Sequence, residues 1–311
     1  MKKFLCKVLI YALSLILITL GINALYYEND DTEKFIAGVP DNIQICNFGS
    51  SHGLYAFNYE GAMKYYTCFN FALASQSLNY DYRILQYYKD KIKRGADVFI
   101  VISYFSLFGK PEVQENDFAS KNKRYYKFLP ASLIVNYDSN TNFYSSFPAL
   151  TAKNCFSLAR HIVFREDIDD INHRKTNEHE ANIDGPSRFK YHVTEHLDKD
   201  GRRIYKNEAI DALYNIINLC REIGANPIMI TTPYLHEYPD AGKKEDKEFF
   251  DDFYSVINKI ISDTGIKYYD YSADERYSSN YGLFWNVDHM NREGAKVFTK
   301  NLLHDVLGIT F

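Results

Sequence analysis

The sequence predicts an α/β protein built on a mostly five-stranded parallel sheet, preceded by one N-terminal transmembrane helix. Three observations carry this. The chain opens with a long, uncharged apolar run. Behind it, short continuous apolar runs alternate with segments whose apolar residues recur every three or four positions, as in buried strands and amphipathic helices. The composition, with 27 Tyr and 22 Phe among 311 residues, supplies a core that disordered chains lack. A net charge of -4 gives no basic surplus to displace phosphate counterions, so nucleic acid is not an expected partner.

The first element is the apolar run. Lys2, Lys3 and Lys7 precede or enter it, and Glu28, Asp30 and Asp31 follow it. At about 1.5 Å per residue, a helix over Phe4–Tyr26 just covers a hydrocarbon core about 30 Å thick. Positive charge before the span predicts a cytoplasmic N-terminus and an extracytoplasmic body. A signal anchor over residues 1–27 fits the length. A cleaved signal peptide is the alternative, which Gly21-Ile22-Asn23-Ala24 fits poorly as a cleavage site. Residues 28–40, polar and acidic, read as a linker from the bilayer.

Residues 41–311 form the body. Strands are expected at Ile43–Phe48, Tyr65–Leu73, Asp97–Phe105, Pro227–Thr232 and Ile266–Tyr271. Helices are expected at Tyr80–Arg94, Asn207–Ile223, Phe249–Asp263 and Arg292–Leu307. This alternation implies a parallel sheet with right-handed crossovers. An insertion at about 109–201 interrupts it, with a helical piece near 149–164 and then a solvated loop, REDIDDINHRKTNEHE. Lid, substrate-binding cap and passive decoration all fit it. The five cysteines, at 6, 46, 68, 155 and 220, form no Cys-x-x-Cys pair. They read as buried free thiols, with a disulfide open if the body is outside the cell.

Ligands of open parallel sheets gather at the carboxyl ends of the strands. After the first strand comes Gly49-Ser50-Ser51-His52-Gly53, a tight turn that exposes a serine where backbone N–H groups favour developing negative charge. An ordinary Gly/Ser turn with an N-cap is the bland alternative. After the last strand comes Trp285-Asn286-Val287-Asp288-His289-Met290-Asn291. Asn291 is a good N-cap for the final helix, which leaves His289 in the loop before it, placed to take a serine proton. The other histidines (161, 173, 179, 192, 196 and 304) read as solvated or helix-surface groups, with those in the insertion able to touch substrate. Thr231-Thr232-Pro233-Tyr234-Leu235-His236-Glu237-Tyr238 follows the fourth strand, so Tyr234, His236 and Tyr238 are candidates to line a sugar or acyl pocket. Packed aromatics at a strand exit are the alternative. No Gly-x-Gly-x-x-Gly, Walker or His-Glu-x-x-His sequence is present, and no metal or cofactor is expected.

Taken together, Gly49-Ser50-Ser51-His52 and His289-Met290-Asn291-x-x-Gly294-Ala295 resemble the first and last blocks of the SGNH (GDSL-type) hydrolases. Phe69-Asn70-Phe71-Ala72-Leu73-Ala74-Ser75-Gln76-Ser77-Leu78 resembles the second block. The resemblance spans about 42–307, outside the insertion. It implies a three-layer α/β/α body of the SGNH or flavodoxin-like kind. It also implies Ser51 as nucleophile, His289 as base, the N–H groups of Ser51 and Ser75 as oxyanion donors, and His52 beside the substrate. Anchored SGNH domains resemble accessory proteins of cell-surface acylation. The implied substrates are therefore acyl, foremost acetyl, esters of envelope or exported polysaccharide, and a membrane-bound acyltransferase is an implied partner.

Three departures stand out. The family's Asp three residues before its His is Asn286 here, while Asp288 directly precedes His289. A Ser51–His289 dyad, Asp288 as substitute and low activity are the three readings. Ser75 replaces the family's second-block Gly, which keeps the backbone donor. The third-block Gly-x-Asn has no counterpart; Ser103 and Ser106 are the nearby candidates for its donor. The expected function is a Ser–His esterase or acyltransferase. The alternative is a catalytically weak domain that binds polysaccharide or the acyltransferase.

Overall fold

The computed structural model describes residues 1–27, 32–146, 174–193 and 196–311. Glu28, Asp30, Asp31, the helical piece expected near 149–164, most of the polar loop after it, Cys155, His161 and His173 lie outside the described residues. The chain divides into two compact units, one of residues 1–38 and 119–168, the other of residues 39–118 and 169–311.

In the first unit, helix α1 (Lys2–Tyr27) is uncharged from Val8 onward. Its Lys3–Ile22 stretch is long and apolar enough to cross a membrane, and none of it is buried in protein. The stretch expected as a bare linker is partly folded. Glu33–Ala37 is a helical turn with Phe35 buried, because Phe35 stacks on Phe128 at 4.1 Å.

The second unit holds an all-parallel five-stranded sheet of order β2-β1-β3-β4-β5. Strand β1 (Ile43–Phe48) leads into helix α2 (Ser51–Ala56), and β2 (Cys68–Asn70) precedes helix α3 (Leu78–Tyr88). Strand β3 (Ile92–Val101) is followed by helices α4 (Glu178–Val193) and α5 (Asn207–Glu222). Strand β4 (Asn226–Thr231) precedes helices α6 (Glu237–Glu245) and α7 (Phe249–Thr264). Strand β5 (Lys267–Asp270) comes last before helix α8 (Arg292–Leu307). The central strands carry the core: Ile45, Phe48, Val98, Phe99, Ile100, Met229 and Ile230 are all buried. The apolar stripe of α5 (Leu213, Ile216, Ile217, Cys220) is buried too.

The five expected strands, and the helices expected at Tyr80–Arg94, Asn207–Ile223, Phe249–Asp263 and Arg292–Leu307, are present with shifted ends. The helix expected to run through Arg94 stops at Tyr88. Strand β3 starts early because Ile92 pairs with Ile43 before a register shift. Lys91, Lys93 and Arg94 disguise that strand as a charged helix end. Strand β2 is shorter than expected, ending at Asn70, with the Phe71 N–H making its last bond to β1 at the Asn47 carbonyl (2.8 Å). Cys46, Cys68 and Cys220 are buried free thiols, whereas Cys6 is exposed.

Candidate active site

The turn after β1 is dictated by glycine. Gly49 has φ +141°, and a Cβ there would lie 2.8 Å from Val101 Cβ on the neighbouring strand. Few side chains tolerate that conformation, and none fits the gap. Buried Asp81 fastens this turn from α3 by accepting the Gly49 N–H (3.0 Å). Asp81 also accepts from Gln76 Nε2 at 2.6 Å. Burial pushes the Asp81 carboxyl up to about 7, although the Gln76 and Gly49 donors oppose that. The chain leaves the turn with Ser51 as the first residue of α2.

The partner comes from the opposite end of the chain. Asn291 caps α8 by accepting the Gly294 N–H at 2.9 Å, which fixes the loop before it. His289 Nε2 then lies 2.8 Å from Ser51 Oγ. With the serine hydroxyl donating to Nε2, the imidazole carries its proton on Nδ1. Facing Nδ1 are the two ends of the Asn286 amide, Nδ2 at 3.0 Å and Oδ1 at 3.2 Å, and Asp288 Oδ1 at 3.3 Å. Asn286 Oδ1 also accepts the backbone N–H of His289 at 2.8 Å and of Asp288 at 3.2 Å. Asn286 therefore shapes the loop, while Asp288 brings the negative charge to the imidazole. Trp285 stacks on the His289 ring at 5.1 Å with 10° between planes, and Tyr55 meets it edge-on at 5.2 Å.

Asp288 is 2% exposed and is gripped from several sides. Its Oδ2 lies 3.2 Å from His52 Nε2. Arg188 donates Nε to Oδ1 at 3.1 Å and Nη2 to Oδ2 at 2.9 Å. His192 Nε2 stands 3.6 Å from Oδ2. Burial alone would raise this carboxyl, but His289 first and then His52 hold it well below the usual carboxylate range. His52 is pushed down to about 4 by burial, against the pull of Asp288. His192 is pushed down to about 3 by burial. Both are neutral near pH 7. His52 Nε2–H donates to Asp288, so its Nδ1 is left to accept from Ser103 Oγ at 2.8 Å and Tyr234 Oη at 2.9 Å.

These positions correct several expectations. The sequence predicts substrate contact for His52 and Tyr234, yet they are 1% and 0% exposed and bonded to each other. His52 holds Asp288 at 3.2 Å, and Tyr234 holds His52. Tyr238, also buried, bonds His192 Nδ1 through its hydroxyl at 2.8 Å. His236 is exposed on the other side of its loop, where its Nδ1 meets the Ser278 carbonyl at 3.1 Å. His192, expected on a helix surface, belongs to the site. His196, expected likewise, is buried against Asp246 at 3.0 Å. Ser103, a candidate oxyanion donor, is turned inward to His52 and Ser50, and its N–H is taken by Ser106 Oγ at 3.2 Å. Ser75 stands exposed with φ +55°. It sits on a turn stitched to the Gly49–Ser51 loop, since the Leu73 N–H and Gln76 Nε2 each donate to the Gly49 carbonyl at 3.3 Å.

Helix α4 supplies what sequence reasoning missed. Gly185 lets it lie against α6, since a Cβ there would fall 2.7 Å from the Glu237 carbonyl oxygen. On the adjoining stripe, Asp184, Arg188 and His192 follow one another at i, i+4 and i+8. All three face the Val287–Asp288 dipeptide, with Asp184 accepting the Val287 N–H at 3.3 Å. That spacing was the available signal.

The His52, Asp288 and His289 ligand atoms lie within 4.8 Å of one another, close enough to surround a metal ion. Arg188 argues against that occupant. A carboxylate offers about four acceptor positions, and two guanidinium N–H groups and two imidazoles fill them here. A fixed cation on both oxygens also repels a second one. No protein-family model and no curated protein matches the chain.

Proposed function

We propose that the chain is a membrane-anchored serine esterase or acyltransferase of the SGNH type, with a three-layer α/β/α body and its site on the extracytoplasmic side. One observation carries the reading: Ser51 Oγ lies 2.8 Å from His289 Nε2, while the far side of the ring faces Asp288. That is the order of nucleophile, base and orienting acid that acyl transfer requires.

Ser51 Oγ attacks the carbonyl carbon of an ester, and its proton passes to His289 Nε2. The carbonyl π electrons move to oxygen, which the N–H groups of Ser51 and Ser75 receive. Collapse of this intermediate breaks the bond to the alcohol, and His289 returns the proton to the departing oxygen. The acyl group is left on Ser51. Water, or a sugar hydroxyl, then attacks that ester with His289 again as base, which separates hydrolase from transferase only at this second step. The imidazolium formed in each half is stabilised by Asp288.

Acyl esters of envelope or exported polysaccharide are the proposed substrate class, with a membrane-bound acyltransferase as partner. The apolar α1 and the block resemblance support this. Asn286 in place of the family's acid favours a second reading, a weak enzyme that binds polysaccharide. The full-length chain in detergent micelles, treated with a fluorophosphonate, separates them. Adduct on Ser51 that disappears in Ser51→Ala and His289→Ala supports the enzyme. A folded, unlabelled wild type supports the binder.

A further inference from the structure

Asp288 can serve His289 only if its carboxylate keeps one plane. Rotation about its side chain by a few tens of degrees would carry Oδ1 away from Nδ1. His289 and His52 restrain this only in part, since each touches a single oxygen. Arg188 is different. Its Nε and Nη2 reach Oδ1 and Oδ2 at 3.1 and 2.9 Å, a fork-on-fork pairing that fixes the carboxylate in distance and in plane. The same guanidinium opposes the tendency of a buried carboxyl to take up a proton.

The guanidinium is itself held by its helix. One turn before it, Asp184 accepts the N–H of Val287, the residue preceding Asp288. One turn after it, His192 closes on Asp288 at 3.6 Å while the Tyr238 hydroxyl holds its other nitrogen. Phe189 and Val193, with Gly185, are buried on the neighbouring stripe of α4. Three successive turns of one helix thus address a single dipeptide of the base loop.

We infer that Arg188 is the positioning residue for Asp288, and that α4, which belongs to the insertion, is thereby a working part of the site. This rests on the Ser51–His289 reading for its catalytic meaning, but not for its geometry.

The experiment uses the full-length chain in detergent micelles, with Arg188→Ala and Arg188→Lys. The first readout is the rate of fluorophosphonate labelling at Ser51. Loss of the clamp is expected to slow it by up to ~10²-fold, the scale of a misplacement of about 1 Å. Lysine should rescue little, because one ammonium cannot grip two oxygens in a plane. Added methylguanidinium should restore part of the rate in Arg188→Ala, and methylammonium should not. The second readout is the low-field proton on His289 Nδ1, observed by NMR with ¹⁵N-labelled histidine and assigned by its loss in His289→Asn. It should be present in wild type and lost or moved upfield in Arg188→Ala. An unchanged low-field proton in folded Arg188→Ala overturns the inference. So does a rate defect that lysine rescues as well as methylguanidinium. If wild-type Ser51 never labels, the serine-chemistry reading falls, and the low-field proton alone decides the role of Arg188.

Discussion

His52 and His289 stand on opposite oxygens of one buried carboxylate, His52 Nε2 at 3.2 Å from Asp288 Oδ2 and His289 Nδ1 at 3.3 Å from Oδ1. Each turns its other nitrogen to a serine, Ser103 for His52 and Ser51 for His289. The two arms differ in access. Ser103 is 1% exposed, whereas Ser51 is only half-buried. On the proposed function, the chemistry falls to the His289 arm, and the His52 arm braces Asp288.

The two arms should respond differently to substitution. His289→Asn removes the base and should lower Ser51 labelling by ~10³-fold or more. His52→Asn should cost activity less, on the order of tenfold, but should also lower stability by about 1–3 kcal/mol, because the Ser103 and Tyr234 hydroxyls lose a buried partner. Labelling kinetics and urea melts on the same samples check both. Equal rate losses in the two variants would refute the division of labour.

Asp288 and Asn286 can be told apart in the same way. Asp288→Asn keeps the shape and removes the charge, and a drop of ~10³–10⁴-fold in labelling is expected. Asn286→Asp keeps the oxygen that accepts the His289 N–H and adds a second charge beside Asp288. Its effect should stay within about tenfold. A large gain from Asn286→Asp would mean that Asp288 does not fill the acid's place.

Asp81 gives stability a pH dependence. Its folded carboxyl is pushed up to about 7 by burial, against about 3.9 in an unfolded chain. Between those values the folded state holds a proton that the unfolded state has released. The contribution of Asp81 to stability is therefore greatest below pH 4, falls as pH rises toward 7, and levels off above it. Asp81→Asn keeps an oxygen for the Gly49 N–H without the titration. It should flatten the decline of Tm between pH 5 and 8 and raise Tm at pH 8 by several degrees, at roughly 2–4 °C per kcal/mol. Parallel Tm–pH curves for the two proteins would count against it.

Gly185→Ala tests the seat of α4. The added Cβ would sit 2.7 Å from a backbone oxygen, so the helix must move or α6 must yield. A loss of about 1–3 kcal/mol is expected, together with slower Ser51 labelling as Arg188 shifts. Thermal melts and labelling rates check it. Wild-type values for both would show that the contact is slack.

The topology has its own measurement. An export-dependent reporter fused after Tyr27 should be active outside the cell if Lys2, Lys3 and Lys7 hold the N-terminus inside. Activity of a cytoplasmic reporter at the same junction would reverse the orientation.

The sheet was legible in the sequence because its central strands are covered by protein and so read as continuous apolar runs, as in Val98–Val101 and Ile228–Ile230. Ser51 and His289 were legible because each follows a strand and adjoins a local signal, a glycine turn for one and the Asn291 cap for the other. Burial was not legible in the same way. Nothing local separates His52, which turns inward, from Ser51, which does not. Arg188 and His192 were hidden for another reason. Helix α4 is short of apolar residues and contains Gly185 and Pro186, so it reads as polar insertion. Its purpose appears only when the Asp184–Arg188–His192 stripe meets a loop about a hundred residues away.

Trp285, the only tryptophan in the chain, lies parallel to the His289 ring. An indole stacked on an imidazole loses fluorescence when the imidazole takes a proton. The emission of this protein should therefore report the charge on His289. Acid–base events at the site can be followed in unlabelled material, before any substrate is in hand.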